Sequence, residues 1–318
     1  MKSYLPKELL MPDIALRPVI RMSPFSGKFD FHVKDHVLPE TELVSRISTQ
    51  LFGLPKEGRL TKSAIHALSL ALLSVIRSKE FVVSIITPSN SGYVSSSVTE
   101  EVDKYCKWIF GYDPSADVYL LIHEFGRKAV LPKQAIQSRK PIIEDCTYAL
   151  VDPSFSSHYS LQGHYIVFSL SNAFPLQYGG LLFVNDVPLK ENLSSKYIFS
   201  DKGKHYLRQT LVAYFLELHQ ANQARLRTYH IMQQICKDYG FDEAYPANEG
   251  ELPHAFLVEI SPELDASSIK THMNLAGIES GIFEGGNAYF LPCHQNMNMA
   301  EVEYIFHHLG EAINNADM

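Results

Sequence analysis

The chain reads as an α/β protein: a mainly parallel sheet covered by helices on both faces, with a smaller α+β domain at its C-terminal end. Three observations carry this reading. Short, all-apolar segments recur along the first two thirds, as in Phe81–Thr87 (FVVSIIT) and Val118–Ile122 (VYLLI). Helix-length gaps separate them, the spacing of parallel strands joined by crossover helices. After Gly240 the texture changes, with strands and helices packed closer together.

In chain order, a lead-in punctuated by proline and glycine fills the first 60 residues, with one short helix near Glu40–Leu51. Ser63–Ile76 carries Ala67, Leu68, Ala71, Leu72 and Val75 at helical spacing. Strands follow at Phe81–Thr87 and Val118–Ile122, then at Pro141–Glu144, His164–Ser169 and Leu181–Val184. A long amphipathic helix is expected from Tyr206 to Cys236. Beyond it come a strand at His254–Ile260, a helix at Ser267–Ala276, a strand at Ala288–Leu291 and a closing helix at Met299–Ala316. Asn298 is its expected N-cap, with Glu301 at capping-box distance. The division expected is 1–205 for the large domain with its lead-in, 206–240 for a connecting helix and 241–318 for the small domain.

The 318 residues are 46% hydrophobic and 20% charged, an ordinary globular composition. The formal charge of −7 argues against nucleic acid, whose phosphates need clustered lysine and arginine. No stretch approaches about 18 uncharged apolar residues, so no membrane span is expected. Met1–Asp13 lacks the pattern of a signal peptide. The four cysteines lie far apart and show no Cys/His ligand spacing, so no metal centre is expected and the thiols read as reduced, in the cytoplasm.

In open α/β sheets, ligands bind beyond the carboxyl ends of the strands. His123, Asp145 and the Ser169–Gly180 loop all fall at such ends, and they form the candidate site.

The segment Pro141-Ile-Ile-Glu-Asp-Cys-Thr-Tyr-Ala-Leu150, with Val167-Phe-Ser-Leu and Pro175-Leu-Gln-Tyr-Gly-Gly180 after it, resembles the DegT/DnrJ/StrS-type sugar aminotransferases, which are fold-type I pyridoxal-phosphate enzymes. Ser63-Ala-Ile-His-Ala-Leu68, Ile86-Thr-Pro-Ser89 and Phe290-Leu-Pro-Cys-His-Gln295 fall in matching order, so the resemblance runs from about residue 50 to the end. It implies that Asp145 pairs with the pyridinium nitrogen of the cofactor. It implies phosphate contacts from Ser63 and Ser169, and aromatic or polar contact with the ring from Tyr148 and Tyr93. His123 stands as a catalytic candidate.

The same resemblance exposes a departure. The Schiff-base lysine position is occupied by Asn172, whose amide forms no internal aldimine, and no lysine occurs between Lys140 and Lys190. Ile65 replaces a phosphate-binding hydroxyl, and Tyr148 stands where histidine or glutamine is usual. Two readings stay open beside a third, that the likeness is of fold alone and the function unrelated. One is a protein acting on a nucleotide-linked sugar with pyridoxal phosphate or pyridoxamine phosphate held non-covalently, His123 or His66 moving the proton. The other is a degenerate, inactive member serving as a binding or regulatory partner. A homodimer is implied in either case. Arg225 and Arg227 read as solvated or salt-bridged.

Overall fold

The computed structural model describes residues 20–24, 37–149, 161–185, 199–283 and 287–316. The expected lead-in lies mostly outside the described residues, as does Met1–Asp13. The described residues divide into two compact units: one of 37–149, 161–185, 199–222 and 248–252, the other of 20–24, 223–247, 253–283 and 287–316.

The larger unit is built on seven strands: β1 (Glu57–Thr61), β2 (Val82–Ile86), β3 (Lys107–Phe110), β4 (Val118–Ile122), β5 (Ile142–Asp145), β6 (Tyr165–Ser169) and β7 (Gly180–Val184). Their order across the sheet is β1-β7-β6-β5-β4-β2-β3. The pairs from β3 across to β6 are parallel, while β7 is antiparallel to both β6 and β1. β7 alone therefore runs against the rest.

Strand alternation divides the core between the two faces. Ile166, Phe168, Leu181 and Phe183 pack with α1 (Glu40–Phe52) and α6 (Asp201–Leu216) through Leu43, Ile47, Leu207 and Leu211. Tyr165, Val167, Leu182 and Val184 pack instead with α2 (Ala64–Val75) and α3 (Ser96–Asp103) through Leu68, Ala71 and Val102. Helices cover both faces, as the all-apolar strands require. The short helices α4 (Lys133–Gln137) and α5 (Leu170–Ala173) complete the unit.

The single helix expected over Tyr206–Cys236 is two. α6 ends at Leu216, α7 (Leu218–Asp238) begins two residues later, and the Glu217 N–H is shared between the Ala213 and Tyr214 carbonyls. The break falls where the apolar stripe changes function. Leu207, Leu211, Tyr214, Phe215 and Leu218 serve one core, and Tyr229, Met232, Ile235 and Cys236 serve another. No proline or glycine marks the change.

The smaller unit pairs β8 (Ala255–Glu259), β10 (Ala288–Pro292) and β9 (Gly281–Phe283) in the antiparallel order β8-β10-β9. α8 (Ala266–Leu275) and α9 (Met299–Ala316) pack on it through Ile269, Met273, Ile305, Phe306 and Leu309. The Glu301 N–H donates to Asn298 Oδ1 at 3.0 Å, and the Asn298 N–H donates to Glu301 Oε2 at 2.9 Å. This is the reciprocal capping box expected at the start of α9.

Candidate functional site

The carboxyl ends of β1, β2, β4, β5 and β6 and the first residue of β7 meet at one edge of the large sheet. Ser169 is paired with Gly180, Gly180 with Thr61, and Asp145 with Ile122. After β3 the chain returns to the other side of β2, so the crevice between β2 and β4 is a topological switch point.

Asp145 lies at the heart of this edge. It is buried, and its Oδ1 accepts the Thr147 N–H at 2.9 Å. Burial pushes its carboxyl above the ordinary range, against hydrogen bonds from Thr147 and the nearness of His123. Among the described residues, no lysine or arginine forms a salt bridge with it.

Asn172 sits on α5, the single helical turn that follows β6. Its Nδ2 donates to the Thr147 carbonyl at 3.3 Å, which joins α5 to the Asp145 turn. Ser169 precedes α5, with its hydroxyl 3.3 Å from that of Ser171. Ser63 caps α2 by accepting the His66 N–H at 3.3 Å. It also lies against Gly180: a Cβ there would come within 2.5 Å of the Ser63 carbonyl carbon and of Thr61 Oγ1. The Gly179 N–H donates to the Lys62 carbonyl at 3.0 Å, so the Gly-Gly pair lets two backbones approach beside the cap.

His123 is buried with both ring nitrogens engaged. Nδ1 accepts the Ala129 N–H at 3.0 Å, and Nε2 lies 3.0 Å from Glu144 Oε2. The first contact requires a bare Nδ1, so Nε2 carries the proton and donates. Glu144 Oε1 in turn accepts the Gln162 and Gly163 N–H groups. His123, Glu144 and Cys146 lie close enough to suit a metal ion. The pair's hydrogen bonds occupy those lone pairs, however, and burial holds the Cys146 thiol far above its usual range. The cluster reads as a hydrogen-bonded brace.

Tyr148 stacks on Phe125, with ring centroids 6.0 Å apart and planes 17° from parallel. Phe125 has a φ of 50°, and a Cβ at the following Gly126 would meet the Leu252 carbonyl oxygen at 2.0 Å. This turn is therefore tightly determined. Tyr93 lies in a separate turn after β2, its N–H donating to Ser91 Oγ at 3.2 Å.

Sequence reasoning missed the residues that span the switch point. Glu124 Oε2 accepts the Ser89 hydroxyl at 2.6 Å and the Ser89 N–H at 3.3 Å, and burial raises the Glu124 carboxyl. A charged residue two positions after an apolar strand was the available signal. Arg225 also differs from expectation. It is buried in the smaller unit, with Nη1 2.8 Å from His254 Nδ1 and Nη2 donating to Gln295 Oε1 at 2.9 Å. Arg227 is exposed.

The residues present fit a pyridine ring held without a covalent bond, because a buried carboxylate with no cationic side chain suits a protonated ring nitrogen. They do not fit a covalent attachment at position 172.

No family sequence model matches the chain. No curated protein matches it. Solved structures do: the architecture is that of the pyridoxal-phosphate aminotransferases. A DegT/DnrJ/EryC1/StrS aminotransferase from Brucella abortus superposes with a TM-score of 0.63 at 15% identity, covering 88% of this chain and 92% of that one. A Streptococcus pneumoniae protein classed as a sugar aminotransferase, in its pyridoxal-phosphate form, gives 0.62 at 14% identity, with coverage of 89% and 94%. The aminotransferase TlmJ from Streptoalloteichus hindustanus gives 0.64 at 11% identity, with coverage of 89% and 93%. At these identities the likeness is one of fold.

Proposed function

We propose that this chain is a sugar aminotransferase-like protein that binds pyridoxal phosphate or pyridoxamine phosphate non-covalently and acts on, or holds, a nucleotide-linked sugar. The observation that carries the proposal is Asp145, a buried carboxylate with no salt-bridge partner among the described residues, at the strand end where this fold binds its cofactor. When bound, the cofactor supplies an electron-withdrawing ring. Asp145 keeps the ring nitrogen protonated. Ser169 and the N-terminus of α2 at Ser63 hold the phosphate with hydroxyl and backbone donors. Tyr148 and Tyr93 would offer aromatic or polar contact to the ring, and His123 positions the turn that carries Glu124 and Phe125. Asn172 orients a ligand through its amide and exchanges no proton near neutral pH. A homodimer in the cytoplasm completes the reading.

The second reading, an inactive partner that keeps the sugar site alone, is favoured by the bond from Asn172 to Thr147 and by the stacking of Tyr148 on Phe125. Both side chains are satisfied by the protein itself. Calorimetric titration with pyridoxamine phosphate, then with a panel of nucleotide-linked sugars, separates the two. Saturable cofactor binding that Asp145→Ala abolishes supports the first reading. Sugar binding with no binding of either cofactor form supports the second. If nothing in the panel binds with or without cofactor, both fail.

A further inference from the structure

On the smaller unit, three imidazoles surround one carboxylate. Glu311 Oε2 lies 3.2 Å from His308 Nδ1 and 3.7 Å from His272 Nε2, while Glu311 Oε1 lies 3.5 Å from His307 Nε2. His307, His308 and Glu311 are on α9, and His272 is on the last turn of α8. One ligand atom each from His272, His308 and Glu311 falls within 4.8 Å of the other two. Helical geometry explains the convergence, since positions three and four residues before Glu311 share its face.

We infer that this cluster is a binding site for a borderline divalent transition-metal ion such as Zn²⁺, bridging α8 and α9. The dimensions fit. A tetrahedral ion with ligands at about 2.0–2.2 Å separates them by about 3.3–3.6 Å, close to the contacts that His308 and His272 make with Glu311 Oε2. The donor set fits as well: imidazoles with one carboxylate suit zinc, whereas calcium and magnesium want oxygen alone. Glu311 and His307 are half-exposed, so an ion has a way in, and His308 and His272 are more enclosed. One ring is already set in place. Tyr304 meets His308 edge-on at 4.4 Å between centroids, and its hydroxyl donates to the Ala276 carbonyl at the end of α8 at 2.9 Å. The site lies wholly in the smaller unit and is independent of the function proposed above. It also escapes a search for cysteine spacing, because its ligands are His308, a Glu one turn on and His272 from an earlier helix.

Calorimetric titration of the full chain with ZnCl₂, and with CoCl₂ while following the visible spectrum, tests the site. The expected result is one saturable zinc ion per chain with affinity in the micromolar range or tighter, and an intense four-coordinate cobalt spectrum. His272→Ala and Glu311→Gln, both at partly exposed positions, should each weaken binding at least about tenfold. His230→Ala, an exposed histidine on α7, should leave it unchanged. A further readout is the melting temperature, which zinc should raise in the wild type and not in His272→Ala. Absence of saturable zinc binding, or binding that His272→Ala and Glu311→Gln leave intact, overturns the site.

Discussion

At the scale of single residues, the site turns on Asp145 and Asn172. Burial holds the Asp145 carboxyl above its usual range, so the folded chain binds that proton more tightly than the unfolded chain does. The sign of the linkage follows: this contribution to stability is full below the unfolded pKa and is lost as pH rises through the folded one. Asp145→Asn removes that loss and keeps an acceptor for the Thr147 N–H. It should be more stable than the wild type by about 1 kcal/mol at roughly pH 8, with the gap closing toward roughly pH 4, measured by urea unfolding at each pH. A gap that widens on acidification would show that Asp145 is charged and compensated in the fold. At position 172 the expectation concerns covalency. Wild type treated with pyridoxal phosphate and borohydride and then denatured should keep the mass of the bare chain. Asn172→Lys should become yellow and gain, after borohydride reduction, the mass of one pyridoxyl group per chain; a colourless Asn172→Lys would mean that more than the nucleophile has been lost. Both residues were legible because each ends or follows a strand within a recognisable block. The pairing of Glu124 with Ser89 was not, because only the fold brings the ends of β2 and β4 together.

At the scale of elements, the Gly-Gly block and the His123 brace make opposite demands on the chain. Gly180 has no room for a side chain beside Ser63 and Thr61, so Gly180→Ala should cost about 2 kcal/mol through forced displacement of backbone. Gly310 is the contrast. It lies within α9, and an added Cβ would only touch ring atoms at 3.9 Å, so Gly310→Ala should stabilise by about 0.5 kcal/mol. Chemical denaturation of the two variants checks both signs. His123→Ala strands a buried Glu144 oxygen and the Ala129 N–H, and should cost about 3 kcal/mol. A His123→Ala chain that unfolds like the wild type would return His123 to the catalytic candidates. The apolar strands and the capped helices were legible because burial and capping leave marks in composition. β1 escaped because an edge strand reading Glu-Gly-Arg-Leu-Thr buries only its last two residues. The break between α6 and α7 escaped because one unbroken amphipathic stripe serves two cores in turn.

At the scale of the whole molecule, the two units carry separate cores, and the two sites argued above fall one in each. The parallel sheet and the α+β tail could be read from the alternation of apolar runs and from the change of texture after Gly240. The inclusion of residues 20–24 in the smaller unit could not, since it rests on contacts far apart in sequence: the bridge between Ile20 and Ile278, the Met22 N–H on Glu279 Oε2 and Asn296 Nδ2 on the Pro24 carbonyl. Separate cores mean that unfolding need not be a single step, and ligands report which unit each step belongs to. Scanning calorimetry should therefore show two overlapping transitions, with a van't Hoff enthalpy below the calorimetric one. On the proposed function, pyridoxamine phosphate is held by Asp145, Ser169 and Ser63, so it should raise only the transition of the larger unit. Zinc acts through His272, His308 and Glu311 and should raise only the other. At a hundredfold excess over its dissociation constant, each ligand adds about 2.7 kcal/mol to the unit it binds, enough to separate the two steps. Adding both should move each transition by the amount its own ligand gives alone. A single transition that moves as one with either ligand would mean that the two units unfold together.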